Sequence, residues 1–211
     1  MQILWFDELG STQTYLKEKL RSGELSSPVA IVASKQTDGI GSRGNSWIGL
    51  DGNLFFSFAI SRDTLPNDLS LESSSIYFSY ILKECLEEEN SALWLKWPND
   101  FYIDNSKIGG TITFLRDSDL ICGIGLNLIK SPEGFAHLDI EIDKKDLLNK
   151  FFKKIKKKSS WKQIFSKFEV EFAQSKSHHT HFGDNTISLE NASLNEDGSL
   201  SVNGQRIYSL R

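Results

Sequence analysis

Cysteine is scarce in this chain: Cys85 and Cys122 are the only two in 211 residues, far apart and in no paired motif. That spacing excludes a disulfide framework or a cysteine-built zinc site as the organising device, and leaves two small apolar side chains for a core. No stretch approaches the roughly 18 consecutive apolar residues of a membrane span. The opening Met1-Gln2-Ile3-Leu4-Trp5-Phe6-Asp7 lacks the basic segment and apolar run of a secretory signal. A soluble, cytoplasmic protein is therefore expected. Net charge is only −4, from 24 Lys and Arg against 28 Asp and Glu, so there is no global electrostatic case for nucleic acid. No internal repeat or long linker interrupts the sequence. What is present, 39% hydrophobic and 11% aromatic residues, suffices for one sizeable domain or one domain with a small appendage.

The most pointed stretch is Gly39-Ile40-Gly41-Ser42-Arg43-Gly44-Asn45-Ser46-Trp47. Its glycines allow backbone N–H groups to approach a ligand, Arg43 offers a positive fork, and Trp47 offers a flat face for a ring. It reads as a strap around a small anion; a flexible loop between two strands is the plainer alternative.

Around it, Ile3 to Phe6 reads as a strand. Ser11 or Thr12 is the N-cap of a helix to about Leu20, and Pro28 to Ala33 is a buried strand leading to Gln36 and the loop. Leu54 to Ile60 is an aromatic-rich strand. Leu69 to Glu89 is a long helix whose acidic end, Glu87-Glu88-Glu89, reads as solvated. Leu93 to Lys96 alternates until Pro98 stops it, Phe101 to Ile103 returns through Lys107 to Phe114 as a hairpin, and Leu120 to Leu128 is a glycine-bearing strand. Leu147, Leu148, Phe151, Phe152 and Ile155 form one helical stripe, and Trp161, Ile164, Phe165, Phe168 and Phe172 a second. The lysines from Lys153 to Lys158 read as a solvated face or as a docking patch for an acidic partner. His178, His179 and His181 lack a carboxylate or cysteine at a recognised spacing to complete a metal site. From about Thr186 to Arg211 three short strands are expected, with turns at Glu196-Asp197-Gly198 and Asn203-Gly204. The alternation predicts an α+β fold, a mixed sheet with helices packed on it.

Five pieces fall at strand ends or loops: Ser11-Thr12-Gln13, Gln36 with the glycine loop, Lys96-Trp97-Pro98-Asn99-Asp100, Lys107-Ile108-Gly109-Gly110 and Gly125-Leu126-Asn127. In this order they resemble the catalytic domain of biotin protein ligases, over roughly residues 3 to 130. The resemblance implies a class II synthetase-like catalytic domain over residues 1–180 and a shortened form of the family's SH3-like barrel over 181–211. It also implies a two-step reaction. Biotin and ATP, with Mg²⁺, give biotinyl-adenylate and pyrophosphate, and a carrier lysine then attacks the acyl carbon and releases AMP. By the family's pattern Lys107, Arg43 and Asp100 are catalytic. Ser11, Thr12, Gln13, Gln36, Gly39, Gly41, Gly109 and Gly110 bind biotin, and Arg43, Asn45, Trp47, Asn99, Lys107 and Asn127 hold ATP or the adenylate. No metal ligands are identified. The partner implied is a biotin carboxyl carrier domain of acetyl-CoA carboxylase or a related carboxylase, and homodimers through the central sheet occur among relatives.

Taken singly, these residues have plainer readings: Thr12 as a helix cap, Trp97 as core, Asp100 as a turn residue. Two arginines of the family's Gly-Arg-Gly-Arg-x-Gly-Arg/Asn-x-Trp loop are Ile40 and Ser42 here, so weaker retention of the adenylate is expected. Some relatives begin with a helix-turn-helix; this chain starts at the catalytic strand, so no role on DNA is expected, and without a long apolar run none at a membrane. Two other functions stay open. One is a lipoate ligase or octanoyltransferase of the same fold, which the glycine loop, Trp47 and Lys-Trp-Pro-Asn-Asp disfavour. The other is a non-catalytic module that binds biotin or an adenylate.

Overall fold

The computed structural model describes residues 1–182 and 185–208, and of Arg43 the backbone alone. In chain order the elements are β1 (Gln2–Leu9), α1 (Thr12–Ser22), β2 (Val29–Ile40), β3 (Ser46–Gly49), β4 (Leu54–Ser61), α2 (Ser74–Glu87), β5 (Trp94–Lys96), β6 (Asp100–Ile103), β7 (Ser106–Arg116), β8 (Asp119–Leu126), α3 (Lys144–Lys156) and α4 (Trp161–Ser175). Five short strands follow: β9 (His179–Phe182), β10 (Asn185–Ser188), β11 (Ser193–Leu194), β12 (Leu200–Val202) and β13 (Gln205–Ile207). This is the expected α+β architecture with small C-terminal sheets.

The central sheet runs β1-β2-β4-β8-β7-β6-β5, with β3 paired to the far end of β2. β1 and β2 are parallel, joined by the α1 crossover, and the other neighbours are antiparallel. Val29–Ala33 and Leu54–Ile60 are buried throughout because helices cover both faces of the sheet. On one face Phe56 and Phe58 meet Phe151 and Phe152 of α3 edge-on, and Phe58 also meets Phe78 of α2. On the other, Leu16 of α1 packs with Val29, Ile31, Ala59 and Ile121. Fully burying each such side chain stabilises the fold by about 1.5–3 kcal/mol. Ser11 caps α1, its hydroxyl accepting from the Thr14 N–H at 3.3 Å, and Gly23 closes it in a left-handed conformation, φ 75°.

The structure corrects several expectations. α2 begins at Ser74 rather than Leu69. Ser70 and Ser73 hydroxyls hydrogen-bond each other at 2.8 Å and Ser70 Oγ takes the Ser73 N–H, so side chains compete for the backbone before the helix can start. The end of α2 is not merely solvated: Glu88 pairs with Lys154 at 2.7 Å, and Glu89 pairs with Lys150. Part of the lysine run thus fastens α3 to α2, while Lys153 and Lys156 to Lys158 remain exposed. The tail holds more than three strands, because His179–Phe182 pairs with Asn185–Ser188 as a hairpin. There Thr180 points inward while His179 and His181 are exposed, and among the described residues no grouping of His, Cys, Asp and Glu could hold a metal. Ser209 to Arg211, the end of the expected tail, lie outside the described residues. Leu189 and Ala192 of the turn between β10 and β11, with Leu200, Val202 and Ile207 of β12 and β13, pack in the same core as α2, α3 and α4. Among the described residues no helix is long and apolar enough to cross a membrane.

Candidate active site

β2 runs beyond the sheet's buried part, and its last residues pair with β3, Gly39 opposite Trp47. The glycine stretch is therefore the tip of a β-hairpin, turned by a 3-10 turn over Ser42–Gly44 and closed by the Gly41 N–H donating to Asn45 O at 2.7 Å. A methyl on Gly39 would lie 2.5 Å from Trp47 O, so only glycine lets the arms come this close. The hairpin roofs a cleft of about 490 Å³, open solvent included, whose floor comes from β4, β7 and β8 and whose wall is the start of α1.

One end of the cleft is a wired polar relay. The Thr12 N–H and Thr12 Oγ1 lie 2.8 and 3.0 Å from Gln36 Oε1, and Thr12 Oγ1 lies 2.9 Å from Ser57 Oγ. A backbone N–H can only donate, so the amide atom facing Thr12 is the oxygen, and the Gln36 NH₂ is turned toward Gly39. The Thr12 hydroxyl then donates to Gln36, and must accept from Ser57. That leaves Ser57 Oγ as an acceptor and the Gln36 NH₂ as a donor. A methyl on Gly123 would sit 3.2 Å from Ser57 Oγ, so its absence keeps the space above that oxygen open.

The other end is ionic. Cross-strand pairing sets Lys96 of β5 opposite Asp100 of β6, and Asp100 opposite Gly110 of β7. Asp100 Oδ1 is 2.7 Å from Lys107 Nζ and its Oδ2 is 3.8 Å from Lys96 Nζ. Lys107 also stands 5.7 Å from the centre of the Trp47 ring. That indole lies on β8, where a methyl on Gly125 would come within 3.0 Å of Trp47 Nε1, and it meets Phe135 edge-on at 5.8 Å. Among the described residues three buried side-chain polar atoms lack a hydrogen-bond partner: Ser75 Oγ in α2 and, beside the cleft, Trp47 Nε1 and Asn99 Oδ1. Such orphans are rare in native proteins, and two beside one cleft point to a ligand that completes them. Neither cysteine supplies a nucleophile: both are buried, and burial pushes the Cys85 thiol to about 12 and Cys122 well above its usual value.

Of the residues singled out from sequence, Ser11, Thr12, Gln13, Gln36, Gly41, Trp47, Asn99, Asp100, Lys107 and Gly110 line this cleft. Others stand back from it. Gly39 is buried within the hairpin and Asn45 is exposed at its tip. A methyl on Gly109 would meet Gly125 O at 2.5 Å and Phe101 Cδ2 at 3.1 Å, so that glycine serves strand packing. Asn127 is fully buried; its amide donates to Ala136 O at 3.1 Å and its oxygen accepts from Asn53 at 3.3 Å, which ties down the segment after β8. The Arg43 side chain lies outside the described residues. Thr12 is more than a helix start, and Asp100 joins two lysines rather than only ending a turn. Trp97 is core, fully buried, with Nε1 donating to Gly198 O at 2.8 Å.

Sequence reasoning missed Ser57, Thr111, Ile112 and Ile124 on the floor, whereas Gly123 belongs to the glycine-bearing strand read as a place of close approach. Ser57 had a signal: it is the one hydroxyl inside an aromatic strand buried on both faces. The orphaned Asn99 oxygen had none, since its state depends on its NH₂ donating to Thr111 O.

Comparison with known proteins shows the family. Residues 5–127 match the family described as Biotin/lipoate A/B protein ligase family. The crystal structure of biotin acetyl coenzyme A carboxylase synthetase from Helicobacter pylori with bound biotinylated ATP is similar at TM-score 0.94 and 40% identity, covering 98% of this chain and 99% of that one. Biotin protein ligase from Aquifex aeolicus in complex with biotin and ATP is similar at TM-score 0.75 and 28% identity, covering 100% and 98%. The bifunctional ligase/repressor BirA of Bacillus subtilis (strain 168) is 27% identical over 138 residues, which are 63% of this chain and 42% of that protein.

Proposed function

The chain belongs to the biotin/lipoate A/B protein ligase family, and from that premise we propose that it is an ATP-dependent biotin protein ligase. It activates biotin to biotinyl-5'-AMP and transfers the acyl group to a lysine of a biotin carboxyl carrier domain. One observation carries this reading: a single cleft joins a donor–acceptor relay at one end to an ammonium–carboxylate pair at the other. A cyclic urea needs both an acceptor for its N–H and a donor for its oxygen, and Ser57 Oγ and the Gln36 NH₂ supply them. A dithiolane ring offers neither, which favours biotin over lipoate.

The chemistry at the far end is charge management. A carboxylate must approach a triphosphate, so two anions have to be held together. Lys107 is the mobile point charge for this, resting on Asp100 at 2.7 Å and able to follow negative charge from the α-phosphate to the departing pyrophosphate. Asp100, set between Lys107 and Lys96, orients Lys107. Trp47 offers its indole to the adenine, with Phe135 behind it. Among the described residues the cleft presents one carboxylate, Asp100, already engaged by two lysines, so Mg²⁺ would come with the substrate as MgATP and supply counter-charge to the phosphates. No protein nucleophile is needed; positioning and charge stabilisation supply the rate. A cytoplasmic location, where ATP and carrier are both present, fits this reading.

The test is to incubate the pure protein with ATP, Mg²⁺ and a biotin carrier domain, adding either biotin or lipoate. Biotin-dependent pyrophosphate release with labelling of the carrier supports the proposal. Labelling by lipoate would replace it with a lipoate ligase, and binding without turnover would replace it with a sensor module.

Two further outcomes are expected. Ser57→Ala removes the obligate acceptor, so biotin KM should rise by about five- to tenfold, the equivalent of one neutral hydrogen bond, with kcat little changed. An unchanged KM would show that Ser57 does not face the ligand. Ile40 is exposed and Ser42 half-buried at the mouth of the cleft, where neither can make an ionic contact. The double variant Ile40→Arg, Ser42→Arg should release biotinyl-adenylate at least about tenfold more slowly, since hydrogen bonds to charged groups contribute about 1.5–3 kcal/mol. Equal release rates from the trapped complexes would refute the idea.

A further inference from the structure

β5 is the outermost strand of the central sheet on its side, and it carries the Lys-Trp-Pro-Asn-Asp segment into the site. An edge strand normally leaves alternate N–H groups facing water. Here they are taken up by a helix. Glu171 of α4 accepts the Leu95 N–H through Oε1 at 2.5 Å, and Ser175, one turn further on, accepts the Trp97 N–H through Oγ at 3.0 Å. The spacing fits for a geometric reason: four residues of helix rise about 6 Å and two residues of strand about 6.6 Å. The helix thus stands in for a missing strand. Both acceptors are buried, Glu171 at 9% exposure and Ser175 at 0%. The second oxygen of Glu171 is held by Lys83 Nζ at 2.8 Å, so the carboxylate is fixed from both sides.

The inner side of β5 pairs with β6, whose Asp100 lines the cleft. Lys96 pairs across to Asp100, and Asp100 grips Lys107. A displacement of β5 therefore moves Lys96 directly and, through Trp97 to Asn99, shifts Asp100 against Lys107, which stands on β7. Resting on the ligase reading above, we infer that Glu171 and Ser175 are positioning residues of the adenylation step, acting on Lys96, Asp100 and Lys107 through the backbone of Leu95 and Trp97. The residues facing the urea, Thr12, Gln36 and Ser57, stand on α1, β2 and β4, so this influence should not reach biotin binding.

The experiment measures biotin-dependent pyrophosphate release per folded molecule for wild type, Glu171→Ala, Glu171→Gln and Ser175→Ala, with thermal unfolding in parallel. Glu171→Ala should lower kcat by about tenfold or more while biotin KM stays within about twofold, because small misplacements of reacting groups are costly. Glu171→Gln loses the ion pair but keeps an oxygen for the Leu95 N–H, so it should retain about half the wild-type kcat or more despite a lower Tm. Ser175→Ala should lower kcat by about threefold or more in the same pattern, and it decides the matter if Glu171→Ala does not fold. Unchanged kcat in a folded alanine variant, a loss in Glu171→Gln as deep as in Glu171→Ala, or a loss expressed in biotin KM would each overturn the inference. A wild-type protein without biotin-dependent release would instead overturn the ligase reading, and this inference with it.

Discussion

Replacing Lys107 with alanine is expected to cut pyrophosphate release by roughly 10²- to 10³-fold, the usual cost of removing one preorganised group that stabilises transition-state charge. Biotin should still bind, because the relay of Thr12, Gln36 and Ser57 lies at the opposite end of the cleft from the Lys107–Asp100 pair. The variant would therefore separate binding from chemistry: near-wild-type biotin affinity by calorimetry, with almost no adenylate formed. Arginine at the same position should rescue poorly, since its planar fork cannot follow a moving charge as a compact ammonium does. Wild-type rates in Lys107→Ala would remove Lys107 from the mechanism and leave the two anions with Lys96 alone as a nearby described ammonium.

The largest effect on stability should come from Lys83→Met. Lys83 and Glu171 are 2.8 Å apart with side chains 10% and 8% exposed, and removing one member of such a pair leaves the other charge buried. The expected loss is about 3–5 kcal/mol, or a fall in Tm of roughly 10 °C for a chain of this size. Burial pulls the Lys83 pKa down, but hydrogen bonding and charge from Glu171 more than reverse this, and the net shift is upward. A raised lysine pKa means the contribution is fully present below the ordinary lysine value and fades only as pH rises through the higher folded one. The difference in Tm between wild type and Lys83→Met should thus be flat from about pH 6 to pH 9. Adding Glu171→Gln to Lys83→Met removes the stranded charge while keeping an acceptor for Leu95, so the double variant should regain part of the loss; strict additivity would show that the pair is not coupled.

Much of the fold was legible in the sequence because local patterns marked it. Ser11 and Gly23 bracket α1 in the roles that such residues fill at helix ends, and the apolar stripes of α3 and α4 fall on the buried positions. Errors arose where side chains compete with the backbone, as at Ser70 and Ser73 before α2, or where pairing is decided by distant residues, as in the β9–β10 hairpin. In the candidate site, the residues on strand ends carrying distinctive motifs were found, while Ser57, Thr111, Ile112 and Ile124 of the floor were not. Thr111 and Ile112 follow Gly110 directly, but nothing in their spelling says which face of β7 turns to the cleft.

By itself the sequence determined the family, the order of most elements before the C-terminal strands and the residue types gathered for the chemistry, since motif spacing and periodicity are properties of the chain. The tertiary structure alone decided the direction of each hydrogen bond in the Thr12–Gln36–Ser57 relay, the engagement of Asn127 away from the cleft and the backing of β5 by Glu171 and Ser175. The physical reason is common to all three. A donor or acceptor has no role until a partner many residues away has been brought within about 3 Å of it, and only the packed sheet and helices bring those partners together.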